Sequence, residues 1–130
     1  HKMVAEGAGA VSVAAAMFGK VPVKGRKAVC IVSGGNIDVT ILNRVINRGL
    51  AKSGRSCTFT VELEDKPGQL VGVSQIVASM GGNVVSVHHE RNDDAARVTA
   101  CQLRIKVETR DEQHIEEIRK ALTDNGFKVN

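Results

Sequence analysis

The spacing of apolar positions along this chain changes character near its middle. Residues 4 to 18 are dominated by Ala and other small side chains, interrupted by Gly7 and Gly9, and predict a helix able to pack closely against a neighbour. After a loop over 19–27, the uninterrupted apolar run Ala28, Val29, Cys30, Ile31 and Val32 reads as a strand buried on both faces. Such a strand needs a sheet to join. From Asp38 onward Ile41, Leu42, Val45, Ile46 and Leu50 recur at helical spacing; Asn36 or Asp38 can cap the start of this helix and Gly54 can end it. Helix, buried strand and helix make the edge of an α/β architecture, with the rest of the sheet expected outside this sequence.

The second half alternates differently. Residues 58–63, Thr-Phe-Thr-Val-Glu-Leu, combine β-formers with a period of two and predict a half-buried strand, after which Pro67 and Gly68 turn the chain. Leu70, Val73, Val77 and Met80 follow at helical spacing, Gly81 and Gly82 stop that helix, and residues 84–89 begin a second strand. Asn92, Asp93 and Asp94 predict a turn, and a third strand runs from about Arg97 to Glu108. Thr109 with Glu112 three residues later reads as a capping box for a helix bearing Ile115, Ile118 and Leu122; Gly126 ends it, and residues 127–129 form a short last strand. The order β-α-β-β-α-β over residues 56 to 130 is the ferredoxin-like motif, an antiparallel sheet with two helices on one face, so the fold class is α+β. The small polar stretch 52–56 suits a linker, which divides the chain into domains 1–52 and 53–130.

Composition narrows what such a molecule does. With 42% hydrophobic and 25% charged residues the chain is globular, but it has no Trp or Tyr and three scattered Phe, so its core is aliphatic and it offers no aromatic platform. An RNA-recognition domain shares the β-α-β-β-α-β order but stacks bases on aromatics of its central strands, and here those strands carry Val, Ser, His, Leu and Arg. The net charge of +4 is dispersed apart from Lys24, Arg26 and Lys27, which reads as a solvated turn. No nucleic-acid partner is expected. Cys30, Cys57 and Cys101 are odd in number and lack C-x-x-C spacing, which speaks against disulfides or a zinc site and for a reducing cytoplasm. His88 and His89 are neighbours on a strand, point to opposite faces and cannot chelate together, so no metal is expected. No run approaches the ~20 apolar residues of a membrane span, and the start, His1-Lys2 without an initiator Met, suggests a piece of a longer protein.

Two segments carry candidate chemistry. The turn Ser33-Gly34-Gly35-Asn36-Ile37-Asp38 sits between a predicted buried strand and a helix start, where open α/β sheets bind ligands; a plain tight turn with an Asn cap is the alternative. Together with Val4-Ala5-Glu6-Gly7-Ala8-Gly9-Ala10-Val11, it resembles the end of the catalytic domain of the pyridoxal-phosphate-dependent threonine ammonia-lyases (threonine dehydratases), relatives of serine racemase. The resemblance covers residues 1 to about 50 and implies that Ser33, with Gly34, faces the pyridine nitrogen of pyridoxal phosphate and that Glu6 lies near the ring. It also implies that the Schiff-base lysine and the glycine-rich phosphate cradle belong to a region upstream of His1, so that this piece alone is inactive.

Residues 56–130 resemble an ACT domain, a module that binds an amino acid between two copies. The telling run is Glu64-Asp65-Lys66-Pro67-Gly68-Gln69-Leu70, where a helix N-terminus presents N–H groups and a positive dipole end to a ligand carboxylate, Gly68 leaves room for it and Asp65 meets the ammonium. The resemblance places Asn83, with Val84, on the ligand from the neighbouring subunit. A β-to-α turn with Pro and Gly chosen for backbone shape is the alternative for this loop. The resulting expectation is the regulatory end of an enzyme converting threonine, and serine as a second substrate, with isoleucine, valine, threonine or serine as effector and a homo-oligomer built through ACT domains. A free-standing binding or oligomerisation module is the other reading.

Overall fold

The computed structural model describes residues 3–91 and 100–130. The turn expected at Asn92, Asp93 and Asp94 lies outside the described residues. The chain divides into two compact units, His1–Val45 and Ile46–Asn130, with the division inside a helix.

In the first unit, helix α1 covers Val11–Met17, shorter than the expected 4–18. Residues 7–10, which include Gly7 and Gly9, form turns instead, with Ala10 N–H donating to the Glu6 carbonyl at 3.1 Å. Glycine in a helix interior costs about 1 kcal/mol against alanine, enough to delay the start of so short a helix. The expected strand at 28–32 is not one: Val29 is 95% and Ile31 78% exposed. An extended apolar segment becomes a buried strand only beside other strands, and residues 3–45 supply none. Ser12 of α1 meets two of its groups, Ser12 Oγ donating to the Ile31 carbonyl at 2.7 Å and the Cys30 thiol donating to the Ser12 carbonyl at 3.6 Å. Helix α2, Val39–Lys52, starts where the periodicity puts it. Asp38 caps it, its carboxylate accepting from the N–H groups of Thr40 and Ile41 at 2.8 and 3.2 Å and from the Thr40 hydroxyl. These bonds to the charged form hold the Asp38 carboxyl below its ordinary range, the Thr40 hydroxyl first among them.

The second unit is the expected β-α-β-β-α-β fold. Strands β1 (Ser56–Glu64), β2 (Asn83–Arg91), β3 (Ala100–Glu108) and β4 (Lys128–Val129) form one sheet in the order β2-β3-β1-β4. β1 runs antiparallel to β3 with Phe59 opposite Ile105 and Leu63 opposite Cys101, and β2 runs antiparallel to β3 with His89 opposite Leu103 and Arg91 opposite Cys101. Helices α3 (Gln69–Ser79) and α4 (Glu112–Asp124) cover one face. Alternation sorts the strands: Phe59, Val61 and Leu63 with Cys101, Leu103, Ile105 and Val107 are buried, and they meet Val73 and Val77 of α3 and Ile118 and Leu122 of α4. In place of an aromatic cluster this aliphatic layer holds one fully buried ring, Phe59, with the Arg119 guanidinium 5.6 Å from its centroid, and Phe127 packs against the layer half-buried.

The helix stops fall at the expected glycines. Arg55 N–H donates to the Leu50 carbonyl and Gly54 N–H to the Ala51 carbonyl, a Schellman pair, and Gly81 with Gly82 and Gly126 with Phe127 repeat it. The capping of α4 differs from the expectation. Its N-cap is Asp111, which accepts from His114 N–H at 2.8 Å. Thr109 is instead buried, donating its hydroxyl to the Gly54 carbonyl at 2.5 Å and its N–H to the Arg55 carbonyl at 3.1 Å. Inward alternation from β3 claims the threonine before the helix can use it.

Candidate functional site

In the first unit the cofactor candidates meet. Glu6 N–H donates to the Gly34 carbonyl at 3.0 Å and Ser33 N–H to the Gly9 carbonyl at 3.4 Å, so the two motifs lie side by side. The approach is possible only without side chains: a Cβ on Gly9 would stand 1.4 Å from the Ser33 carbonyl oxygen, and one on Gly34, at φ +72°, 2.5 Å from Glu6 Oε1. Ser33 itself is exposed. An open hydroxyl beside bare glycine backbone, with one carboxylate close by, fits the polar edge of a flat heteroaromatic cofactor.

In the second unit the loop between β1 and α3 builds a hollow of about 420 Å³ lined by residues 63–70 and His89. It therefore gathers Asp65, Lys66, Pro67, Gly68, Gln69 and Leu70 on one concave surface. Gly68 is the N-cap of α3 at φ +91° and provides no side-chain cap; Gln69 N–H turns back to the Lys66 carbonyl at 3.5 Å, which leaves Leu70 N–H and Val71 N–H as the first-turn donors that can face a ligand. A β-branched residue there would be strained by its backbone angle before it touched a ligand. The Lys66 ammonium lies 2.6 Å from Glu64 Oε2, which raises the Lys66 pKa above the ordinary lysine value and keeps it cationic. A cation, a carboxylate and an open helix N-terminus in one hollow can take a zwitterion: the ligand carboxylate at the helix end, its ammonium at Asp65.

Asn83 and Val84 are not part of this hollow. Asn83 opens the strand whose far end carries His89, about 20 Å away at roughly 3.3 Å per residue, and its side-chain amide donates to Glu108 Oε2 at 2.8 Å. Val84 packs partly buried against the core. His89, which in the sequence is only half of a non-chelating pair with His88, also lines the hollow. It reaches the hollow through the pairing of β2 with β3, which no local spacing encodes. The same pairing brings Asp65, His89 and Cys101 together, one possible ligand atom of each lying within 4.8 Å of the others.

No protein-family model matches the chain. Among curated proteins, an L-threonine ammonia-lyase of Thermotoga maritima is 45% identical over 128 residues, which is 98% of this chain and 32% of that protein. An L-threonine ammonia-lyase of Geobacter sulfurreducens is 37% identical over the same shares of each. A biosynthetic L-threonine dehydratase of Lactococcus lactis is 41% identical over 68 residues, 52% of this chain and 16% of that protein. The chain thus spans about a third of the length of the first two relatives.

Proposed function

We propose that this chain, 45% and 37% identical to two L-threonine ammonia-lyases over about a third of their length, is the regulatory end of such an enzyme, an ACT-type sensor joined to the last part of a catalytic domain. The observation that carries the sensor reading is the hollow at the N-terminus of α3, where Gly68, Lys66 and Asp65 offer complementary partners to both charges of a free amino acid. Isoleucine, valine, threonine or serine is the effector in this reading. The aliphatic wall of Leu63 and Leu70 favours the branched pair.

The hollow takes its remaining contacts from a second copy. Asn83 and Val84 are too far from the loop of their own chain to touch its ligand, which suits a homo-oligomer in which one unit's β2 start faces the other's loop. Binding that prefers one such pairing shifts the enzyme between states by differential affinity. In the intact enzyme the reaction is loss of ammonia from L-threonine, and from serine, to give the 2-oxo acid. Pyridoxal phosphate, when bound, supplies the electron sink for that β-elimination. Ser33 would hold the ring nitrogen through a neutral hydroxyl, Gly34 would let the backbone lie close, and Glu6, packed against Gly34, would set the charge beside it. A cytoplasmic enzyme is the natural setting for three free cysteines, and no described helix is long and apolar enough to cross a membrane.

Amide chemical shifts of the full chain test the sensor reading. Titration with the four amino acids should move the signals of Asp65, Lys66, Gly68, Gln69, Leu70 and Asn83 with one effector, and Gly68→Val should abolish the response. Shifts confined to other residues, or none at all, would leave this half an oligomerisation element without a sensing role.

A further inference from the structure

We propose that Asp65, His89 and Cys101 form a binding site for a borderline transition-metal ion, zinc being the best match, at the edge of the hollow that Asp65 and His89 also line. The three side chains come from three elements: the loop after β1, the outer strand β2 and the central strand β3. Arg91 pairs with Cys101 and His89 with Leu103, so His89 lies diagonally across from Cys101 on the same sheet face, while Leu63 pairs with Cys101 directly and Asp65 follows two residues on.

Their ligand atoms lie within 4.8 Å of one another. Tetrahedral zinc, with bonds of about 2.0–2.3 Å, places ligand atoms about 3.3–3.8 Å apart. The remaining closure of about 1 Å falls within the rotamer freedom of Asp65 and His89, which are exposed, around a Cys101 fixed at 2% exposure. One imidazole, one carboxylate and one thiolate select a borderline or soft ion over magnesium or calcium. The charges balance as well: thiolate and carboxylate together neutralise a divalent cation with the imidazole neutral.

Binding exchanges a weak interaction for a strong one. The Cys101 thiol donates to the Leu63 carbonyl at 3.5 Å. On metal entry the S–H bond breaks, its proton passes to solvent, and the S–metal bond forms with no change of oxidation state. Three protein ligands leave a fourth position for water on the exposed side.

Cobalt(II) is the probe, added to the full chain after reduction and chelation, with zinc as competitor. The expected result is a thiolate-to-cobalt charge-transfer band in the near ultraviolet, saturating at one ion per chain and lost on adding zinc. Cys101→Ser should remove the band and His89→Ala should weaken cobalt binding by about tenfold or more. His89 is exposed, so its variant keeps the fold even where the Cys101 change disturbs it. No band at millimolar cobalt overturns the proposal, as does a band that survives Cys101→Ser, which would assign it to Cys30 or Cys57, or undiminished affinity in His89→Ala.

Discussion

At Gly54 three demands meet on one residue: φ is +68°, its carbonyl accepts the buried Thr109 hydroxyl, and a Cβ would stand 2.3 Å from the Glu112 nitrogen. Gly54→Ala must move the backbone at the start of α4 as well as strain its own. We expect a loss of about 2–4 kcal/mol, read from the urea midpoint of the full chain. His114 is a second such residue, 1% exposed. Its Nδ1 accepts from Arg110 N–H at 3.1 Å, which fixes the tautomer so that Nε2–H donates to the Met80 carbonyl at 2.9 Å. It thereby ties the end of α3 to the start of α4. His114→Ala leaves a cavity and two unpaired backbone groups and should cost about 2–4 kcal/mol in the same denaturation experiment. From sequence alone His114 reads as an ordinary polar side chain, because its helical position does not reveal that a carbonyl from another helix waits above it.

Among the elements, those whose partners are close in sequence were legible, and those that depend on distant partners were not. The helix stops at Gly54, Gly81 and Gly126 follow from backbone geometry that glycine alone adopts readily, and the strand alternation of β1 follows from period two. Residues 28–32 show the opposite case. Their apolar run has the composition of a buried strand, but a strand exists only through its neighbours, and Val29 and Ile31 stand exposed without them. Thr109 was misassigned for a related reason, since its real partner, Gly54, lies far back along the chain. The last strand depends on distance too: β4 is held to β1 partly by Lys128 Nζ and Asn130 Nδ2 donating to Glu62 at 2.7 and 3.1 Å. Those bonds, Lys128 first, hold the Glu62 carboxyl below its ordinary value of 4.5. A depressed carboxylate stabilises the fold above its ordinary value and loses that contribution as pH falls through the lower, folded value. Amide protection at Thr60 and Asn130, whose N–H groups pair across β1 and β4, should therefore fall relative to the intrinsic exchange rate below about pH 4.5, before that of the core amides of β3. Equal protection of both at every acid pH would contradict this.

For the molecule as a whole, the loop that recognises an amino acid in our account was legible as a run of residues, from Asp65 to Leu70. What the sequence did not reveal was how the sheet completes the surroundings. His89 and Cys101 arrive through the register of β2 against β3, and Asn83 stays away because β2 spans the sheet. This geometry separates two properties that share Asp65. Cys101→Ser should leave amino-acid binding intact while removing metal binding, and Gly68→Val should do the reverse. The most direct test of the central claim is calorimetric titration of the full chain with isoleucine, valine, threonine and serine up to millimolar concentration. One of them, a branched aliphatic amino acid by the lining of the hollow, should bind saturably and lose affinity at least tenfold in Asp65→Ala. Absence of heat with all four, or binding that ignores both Asp65→Ala and Gly68→Val, would contradict it.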